Sequence, residues 1–420
     1  MNTVYFAKHI LLETGKILYN GAVSVCDGVI IDVGPRGKVR QSSDERLVNL
    51  GDILLLPGFI NLHTHLEESP VRSFSKKEAD ETFTAWSSKK YSRMRQLTDE
   101  QVRVSIRLCV REMIAKGVTT VVDSSRTGIS AEILRNEAIR SVVIREVADE
   151  EFWEESIEQV QAWQHGKRNA ADTNIDITDT STAAFKYGIG PHALYSLDPR
   201  FHRKLIEYSY ASGCLWSCHV AESAEELQAF CEHCGDFFFN QTRKKPWPSS
   251  ANLTPVQHAL AENLIPSQAI LYHCNYVSSS ELALLAAKRA FITLCSGYSA
   301  NMEHKSFPVE VARKRGIRIC LGTEGMVPAG EMNLFDELFR LKMAYPRIAA
   351  AEMLQWVTQN PAAALKASDK LGSISAGKYA DIIGVRFQYN DNDDILETLL
   401  MSDPEIALVM IGGEVIIIDR

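Results

Sequence analysis

Two histidines one residue apart, His63 and His65, close the run Leu55-Leu56-Pro57-Gly58-Phe59-Ile60-Asn61-Leu62-His63-Thr64-His65-Leu66-Glu67. In an extended strand, residues i and i+2 point to the same face. Both imidazoles can therefore reach one metal ion from the end of one buried strand, and imidazole is a common ligand for zinc and iron. Taken alone, the pair is equally what two unrelated histidines near a turn would look like. Its weight comes from groups further along. His219 (followed by Val220-Ala221-Glu222), His273, and Glu324 in Leu321-Gly322-Thr323-Glu324-Gly325 each follow a short apolar run. Singly, either histidine reads as a satisfied core residue and Glu324 as a surface turn. Jointly, they offer more than enough for a site of three neutral imidazoles and a carboxylate, a set that holds a divalent metal with a position left for water. Such a metal lowers the pKa of that water toward ~7. Glu222 is suited to move protons between water, a ring nitrogen and a leaving group. His273 is suited to polarise the attacked centre or orient the nucleophile.

These groups need elements that deliver them to one place. From about residue 57 to 365, short apolar runs alternate with helical segments, each roughly ten to twenty residues long. The runs fall at 119–123, 142–146, 187–190, 215–219, 269–273, 291–295 and 317–322. This alternation predicts parallel strands with crossover helices. Repeated near eight times, it predicts an α/β protein built on a TIM (β/α)8 barrel, whose chemistry sits at the C-terminal ends of its strands. The ends of the chain read differently. Residues 1–56 hold short alternating strands with a hairpin signal at Asp27-Gly28, and 366–420 hold another around Gly412-Gly413. They are expected to pair into one small β-sandwich-like domain beside the 57–365 barrel. Residues 234–250 show no clear period and read as a loop on the barrel, a candidate active-site lid.

Composition narrows the class. The 420 residues are 45% hydrophobic and 23% charged, with net charge -8. That speaks against a general nucleic-acid or anionic-membrane binder. No run approaches the ~20 apolar residues of a membrane helix, and Met1 to Lys8 lacks the start of a signal peptide. The nine cysteines are odd in number and lack framework spacing. Six of them (Cys109, Cys214, Cys218, Cys274, Cys295 and Cys320) lie in apolar surroundings, as expected of reduced cysteines in a cytoplasmic protein. Cys231-Glu232-His233-Cys234 has the look of a metal or redox pair, but no second pair completes a four-ligand site, so a structural role is expected.

The residues resemble the amidohydrolase superfamily over nearly the whole chain. The opening motif is Pro57-Gly58-Phe59-Ile60-Asn61-Leu62-His63-Thr64-His65, and the closing one is Leu371-Gly372-Ser373-Ile374-Ser375-Ala376-Gly377-Lys378-Tyr379-Ala380-Asp381-Ile382. Within it, His219-Val220-Ala221-Glu222 and His273-Cys274 resemble the single-metal deaminases and chlorohydrolases. Leu66-Glu67-Glu68-Ser69, Phe83-Thr84-Ala85-Trp86, Pro191-His192-Ala193-Leu194-Tyr195-Ser196 and Thr254-Pro255-Val256-Gln257 are similar to the aminodeoxyfutalosine deaminases. The resemblance implies one divalent metal, zinc or else iron, on His63, His65, His219 and Glu324. It implies Glu222 as proton shuttle, His273 as catalytic histidine beside Glu324, and Glu67, Ser69, Trp86, His192 and His304 along the substrate pocket. The implied reaction is hydrolytic deamination of an adenine-type nucleoside such as 6-amino-6-deoxyfutalosine. The alternatives are attack on another C–N or C–Cl bond by the same site, or a relative with decayed activity that only binds its ligand. The expected partner is a small-molecule substrate, with a homodimer as an option and neither nucleic acid nor membrane. Two departures stand out. Glu324 replaces the family's aspartate, moving the carboxylate outward by about 1.5 Å, one C–C bond. The family's Cys-Pro-Arg-Ser-Asn is Cys295-Ser296-Gly297-Tyr298-Ser299 here, without the arginine that would pair with a substrate carboxylate.

Overall fold

Strand segments of two kinds build the molecule, and Pro57-Gly58 separates them. The computed structural model describes residues 2–39, 45–74, 77–78, 80–165, 185–243, 247, 252–325, 332–390 and 392–418. Before the break lie β1 (Thr3–Leu11), β2 (Ile17–Cys26), β3 (Val29–Pro35), β4 (Arg46–Asn49) and β5 (Leu54–Pro57). After it come the barrel strands: β6 (Phe59–Thr64), β7 (Val118–Ser125), β8 (Arg140–Val147), β9 (Phe185–Pro191), β10 (Leu215–Val220), β11 (Ile270–His273), β12 (Phe291–Leu294) and β13 (Arg318–Leu321). The chain ends with β14 (Ile382–Arg386), β15 (Glu405–Ile411) and β16 (Glu414–Ile418).

Strands β6 to β13 are parallel and hydrogen-bonded in chain order. Contacts between β13 and β6 bring the two edges together, so the α/β expectation of a (β/α)8 barrel holds. Parallel strands covered on both faces read as continuous apolar runs, and β7 and β8 are buried at every position. The period of two still sorts their side chains. Val142, Ile144, Ile270, Tyr272 and Cys320 fill the barrel interior with Ala362 and Leu365, whereas Val143, Val147, Leu271, Ile319 and Leu321 face the surrounding helices.

The terminal strands form a separate mixed sheet in the order β16-β15-β14-β5-β1-β2-β3, with β4 also on β1. Both sequence-read hairpins are present. Asp27 and Gly28 join β2 to β3 with positive φ, as do Gly412 and Gly413 between β15 and β16, the backbone that a two-residue type I′ turn requires. Alternation along these strands divides two apolar surfaces. Leu54, Leu56, Ile383, Val409 and Ile411 join the large core against the barrel helices, and Leu55, Ile382, Leu408 and Met410 pack on the opposite face.

One local reading changes. The 234–250 stretch is not all loop: Gly235–Thr242 is a helix. Three consecutive phenylalanines mask its period, because Phe237 is buried while Phe239 stands 53% exposed. Residues 244–246 and 248–250 lie outside the described residues. Thr254-Pro255-Val256-Gln257 opens the helix Pro255–Ala261 with reciprocal Thr254 and Gln257 caps, so its residue types serve a helix start.

Candidate active site

The opening histidines owe their placement to an irregular strand. The β6–β7 register slips between Asn61 and Thr64. Ile60 and Leu62 pack in the barrel interior, and His63, within the slip, and His65, just past it, turn to each other with ring centroids 4.8 Å apart. The closing seam of the barrel fixes the carboxylate opposite them. Asn61 Nδ2 donates to Thr323 Oγ1 (2.8 Å), Thr323 N–H donates back to Asn61 Oδ1 (3.2 Å), and the Thr323 and Glu324 amides both donate to His63 O. Glycine is required on both sides of this turn. A Cβ on Gly322 would lie 2.7 Å from His63 Cβ, and one on Gly325 would lie 2.2 Å from His65 O. Glu324 itself has φ +58°, a left-handed conformation that costs energy for a residue with a side chain and recurs at functional sites.

Around this seam the ligand atoms of His63, His65, His219 and Glu324 come within 4.8 Å of one another, all buried. His219 Nε2 lies 3.2 Å from both His63 Nε2 and His65 Nε2. Glu324 Oε2 lies 3.0 Å from His63 Nε2, and Oε1 lies 3.3 Å from His65 Nε2. The extra methylene of glutamate therefore does not carry the carboxylate away from the histidines. Donors 3.0–3.3 Å apart can share one ion at bonds of about 2.0–2.2 Å, so the three imidazoles and the Glu324 carboxylate suit a single metal. Burial pushes the His63 imidazole down to about 4 and His219 well below its ordinary range. Both are neutral near pH 7, the form in which imidazole ligates.

Two further groups adjoin the first. Glu146 and His192 approach the far side of His219. His219 Nδ1 donates to His192 O at 2.6 Å, which leaves Nε2 as the lone-pair nitrogen facing the other ligands. Glu146 Oε1 lies 2.9 Å from His192 Nδ1, and Oε2 accepts from Arg126 Nε. On the other side, His273 Nε2 is 3.6 Å from Glu324 Oε2, with the Cys295 thiol near both. His273 is buried and its ring nitrogens have no hydrogen-bond partner among the described residues. Its φ of +67° places it, like Glu324, in a left-handed turn at a strand end.

A cavity of about 820 Å³ opens over these groups. His65, His219, Glu222 and Glu324 lie at its base, and His192, Glu67, Glu68, Lys90, Tyr91, Arg126, Tyr195, Phe237 and Tyr298 are among its walls. The remaining sequence-read residues separate. Glu67 touches the cavity, but its carboxylate accepts the N–H groups of Arg126, Thr127, Gly128 and Ser130, holding the loop after β7. Ser69 Oγ donates to Ser105 Oγ, and Trp86 is buried in a cluster with Val71, Tyr298 and Met302. Neither of these two is among the lining residues. His304 Nε2 stands 3.9 Å from Glu222 Oε1, and burial holds its imidazole down to about 4. Cys231 and Cys234 are free thiols that join no ligand group among the described residues. Sequence reading missed Tyr298, which bonds Glu222, and the buried pair Lys90–Glu68 at 2.7 Å. The one available signal was the spacing Trp86–Lys90, four apart on a helix.

The chain is similar to several known proteins. A 5-methylthioadenosine/S-adenosylhomocysteine deaminase from Pelotomaculum thermopropionicum is 24% identical over 422 residues, spanning 96% of this chain and 89% of that protein. A zinc-bound adenosine deaminase from Xanthomonas campestris superposes with TM-score 0.84 at 18% identity, covering 100% of this chain and 93% of its own. The Helicobacter pylori aminofutalosine deaminase, in complex with methylthio-coformycin, does so with TM-score 0.81 at 22% identity over 99% of this chain and 100% of its own. Residues 54–416 match the amidohydrolase family model, and the chain belongs to that family.

Proposed function

We propose that this chain is a metal-dependent hydrolase that deaminates an adenine-type nucleoside bearing a 5′ extension. The observation that carries the reading is the convergence of three buried imidazoles and Glu324 at the base of the cavity, with Glu222 and His273 beside them. The named activities of the relatives support the adenine ring. The cavity, about 820 Å³, exceeds what adenosine needs, and its walls from Tyr91, Met94, Leu97 and Ile129 suit an apolar extension. Methylthioadenosine meets that description, while S-adenosylhomocysteine and 6-amino-6-deoxyfutalosine add charged groups to the extension, which Arg95 and Arg243 in the same lining suit.

His63, His65, His219 and Glu324 would hold one divalent ion, zinc or iron. When bound, it would supply a Lewis acid that brings the pKa of a water near neutrality. Glu222 takes a proton from the attacking water and delivers it to the purine ring nitrogen, then assists departure of the amino group as ammonia. The net change is water in, a C–N bond broken and a C=O formed. His273 Nε2, 3.6 Å from Glu324 Oε2, orients the oxygen as it attacks. His192, with Nδ1 2.9 Å from Glu146 Oε1, turns its other nitrogen toward the substrate. The test is ammonia release by zinc- or iron-loaded protein from a panel of adenine nucleosides, with chloride and carboxylate assayed in parallel on triazine and amide compounds. Ammonia from an adenine nucleoside is expected. Chloride or carboxylate release with no ammonia overturns the reading.

A further inference from the structure

One buried hydrogen bond outside the ligand set reaches the group assigned to proton transfer. Tyr298 Oη donates to Glu222 Oε1 over 2.8 Å, and the two residues are 4% and 6% exposed. Tyr298 comes from the short helix Ser296–Asn301 after β12, and Glu222 from the turn after β10. The helix is anchored from beneath: the Glu337 carboxylate accepts the N–H groups of Ser296 and Gly297. A Cβ on Gly297 would lie 2.6 Å from Glu337 Oε1, which explains in steric terms why a glycine stands inside this segment. The Tyr298 ring is packed by Val71, Trp86, Cys295 and Met302 and lies 5.5 Å from the His273 ring. Its hydroxyl thus has one direction. The Glu222 backbone is also held, since its N–H donates to Glu226 Oε2 and its carbonyl accepts from Asn275 Nδ2. Oε1 is occupied, and Oε2 makes no hydrogen bond among the described residues.

A glutamate carboxylate turns broadly about its last torsion, so an unrestrained shuttle offers either oxygen in many orientations, and small errors of orientation are costly at a reacting centre. We propose that Tyr298 is a positioning residue for Glu222, fixing Oε1 so that Oε2 alone receives and returns the proton. This rests on the shuttle role proposed for Glu222. The phenolic proton stays on Tyr298 throughout, donated to Oε1 whether Oε2 is protonated or not. The proton taken from water at Oε2 is the one passed to the ring nitrogen.

The test uses the metal-loaded full chain with 5′-methylthioadenosine, or whichever adenine nucleoside releases ammonia fastest. Tyr298→Phe keeps the ring and removes only the hydroxyl. It should lower kcat roughly ten- to hundredfold, the range of a hydrogen bond to a charged group, with KM and metal content unchanged. Met302→Leu alters the same packing cluster at nearly constant volume and should leave kcat within about threefold, a contrast that a merely structural role for Tyr298 does not give. Tyr298→Phe with wild-type kcat overturns the proposal, as does a loss of kcat matched by loss of metal or carried wholly in KM. Glu222→Gln separates the two levels. If it retains metal and loses turnover while Tyr298→Phe is silent, only the positioning role falls. If Glu222→Gln turns over normally, the shuttle role itself falls.

Discussion

Glu324 carries the most weight in the proposed chemistry, because its carboxylate is the acid that joins the three imidazoles of the candidate metal group. The turn carrying it cannot move inward: Gly322 and Gly325 are already packed against His63 and His65, and the Glu324 amide is tied to His63 O. With the backbone pinned, the longer side chain is what lets the carboxylate oxygens stand 3.0 Å from His63 Nε2 and 3.3 Å from His65 Nε2. Glu324→Asp should therefore withdraw the carboxylate by about 1.5 Å, weaken metal retention and cost ~100-fold in turnover. Elemental analysis after dialysis and an ammonia assay would measure both. A variant that gained metal and activity would mean instead that glutamate marks a decayed site. The His63/His65 pair was legible in the sequence because a strand has a period of two. The neighbouring acids were not. Leu66–Phe74 is 3-10 helix broken by a kink at Val71, and in its first turn successive residues point about a third of a turn apart. Glu67 consequently faces the loop after β7 while Glu68 faces Lys90, a difference that no pattern of residue types declares.

At the scale of elements, the barrel was legible and its roof was not. Buried parallel strands announce themselves as short apolar runs, whereas the helix Phe83–Met94, which gives Phe83, Lys90, Tyr91 and Met94 to the cavity, gains its position from a contact 142 residues away. The Glu225 carboxylate accepts the N–H groups of Phe83 (2.6 Å) and Thr84 (3.1 Å) and the Thr84 hydroxyl. A carboxylate at a helix N-terminus satisfies free amides and meets the positive end of the helix dipole. Glu225 follows Glu222 by three residues, so one turn of chain ties the cavity wall to the proposed shuttle. Glu225→Ala should destabilise this helix by about 1–2 kcal/mol. Because Glu225 touches nothing that reacts, KM should rise severalfold with kcat nearly kept, and amide exchange in 83–94 should quicken while that of β7 and β8 does not. A fall in kcat at constant KM would assign Glu225 to the chemistry instead.

The whole molecule depends on a join between the barrel and the sheet made from both chain ends. The β character at each end of the sequence predicts that the ends pair, but which strands meet across more than 300 residues is a matter of packing and leaves no local signal. The join has a buried ionic centre. Arg140, fully buried at the first position of β8, donates from Nε (2.6 Å) and Nη2 (3.1 Å) to Asp381. The same aspartate accepts the Gly412 N–H at the β15–β16 turn, and its carbonyl accepts the Gly58 N–H at the break between sheets. Arg140 and Glu146 occupy the two ends of β8, about 20 Å apart at ~3.3 Å per residue, so this centre is remote from the metal ligands. Removing one partner of a buried pair leaves an uncompensated charge, which costs about 3–5 kcal/mol. Asp381→Ala should lower the denaturation midpoint accordingly, while metal content and kcat of the folded fraction stay at wild-type values in an assay well below the transition. Arg140→Met combined with Asp381→Ala removes the orphaned charge as well and should recover part of the loss. If the double variant were less stable than Asp381→Ala by the full cost of a second deletion, the two side chains would be acting independently, and the join would owe its strength to the apolar faces alone.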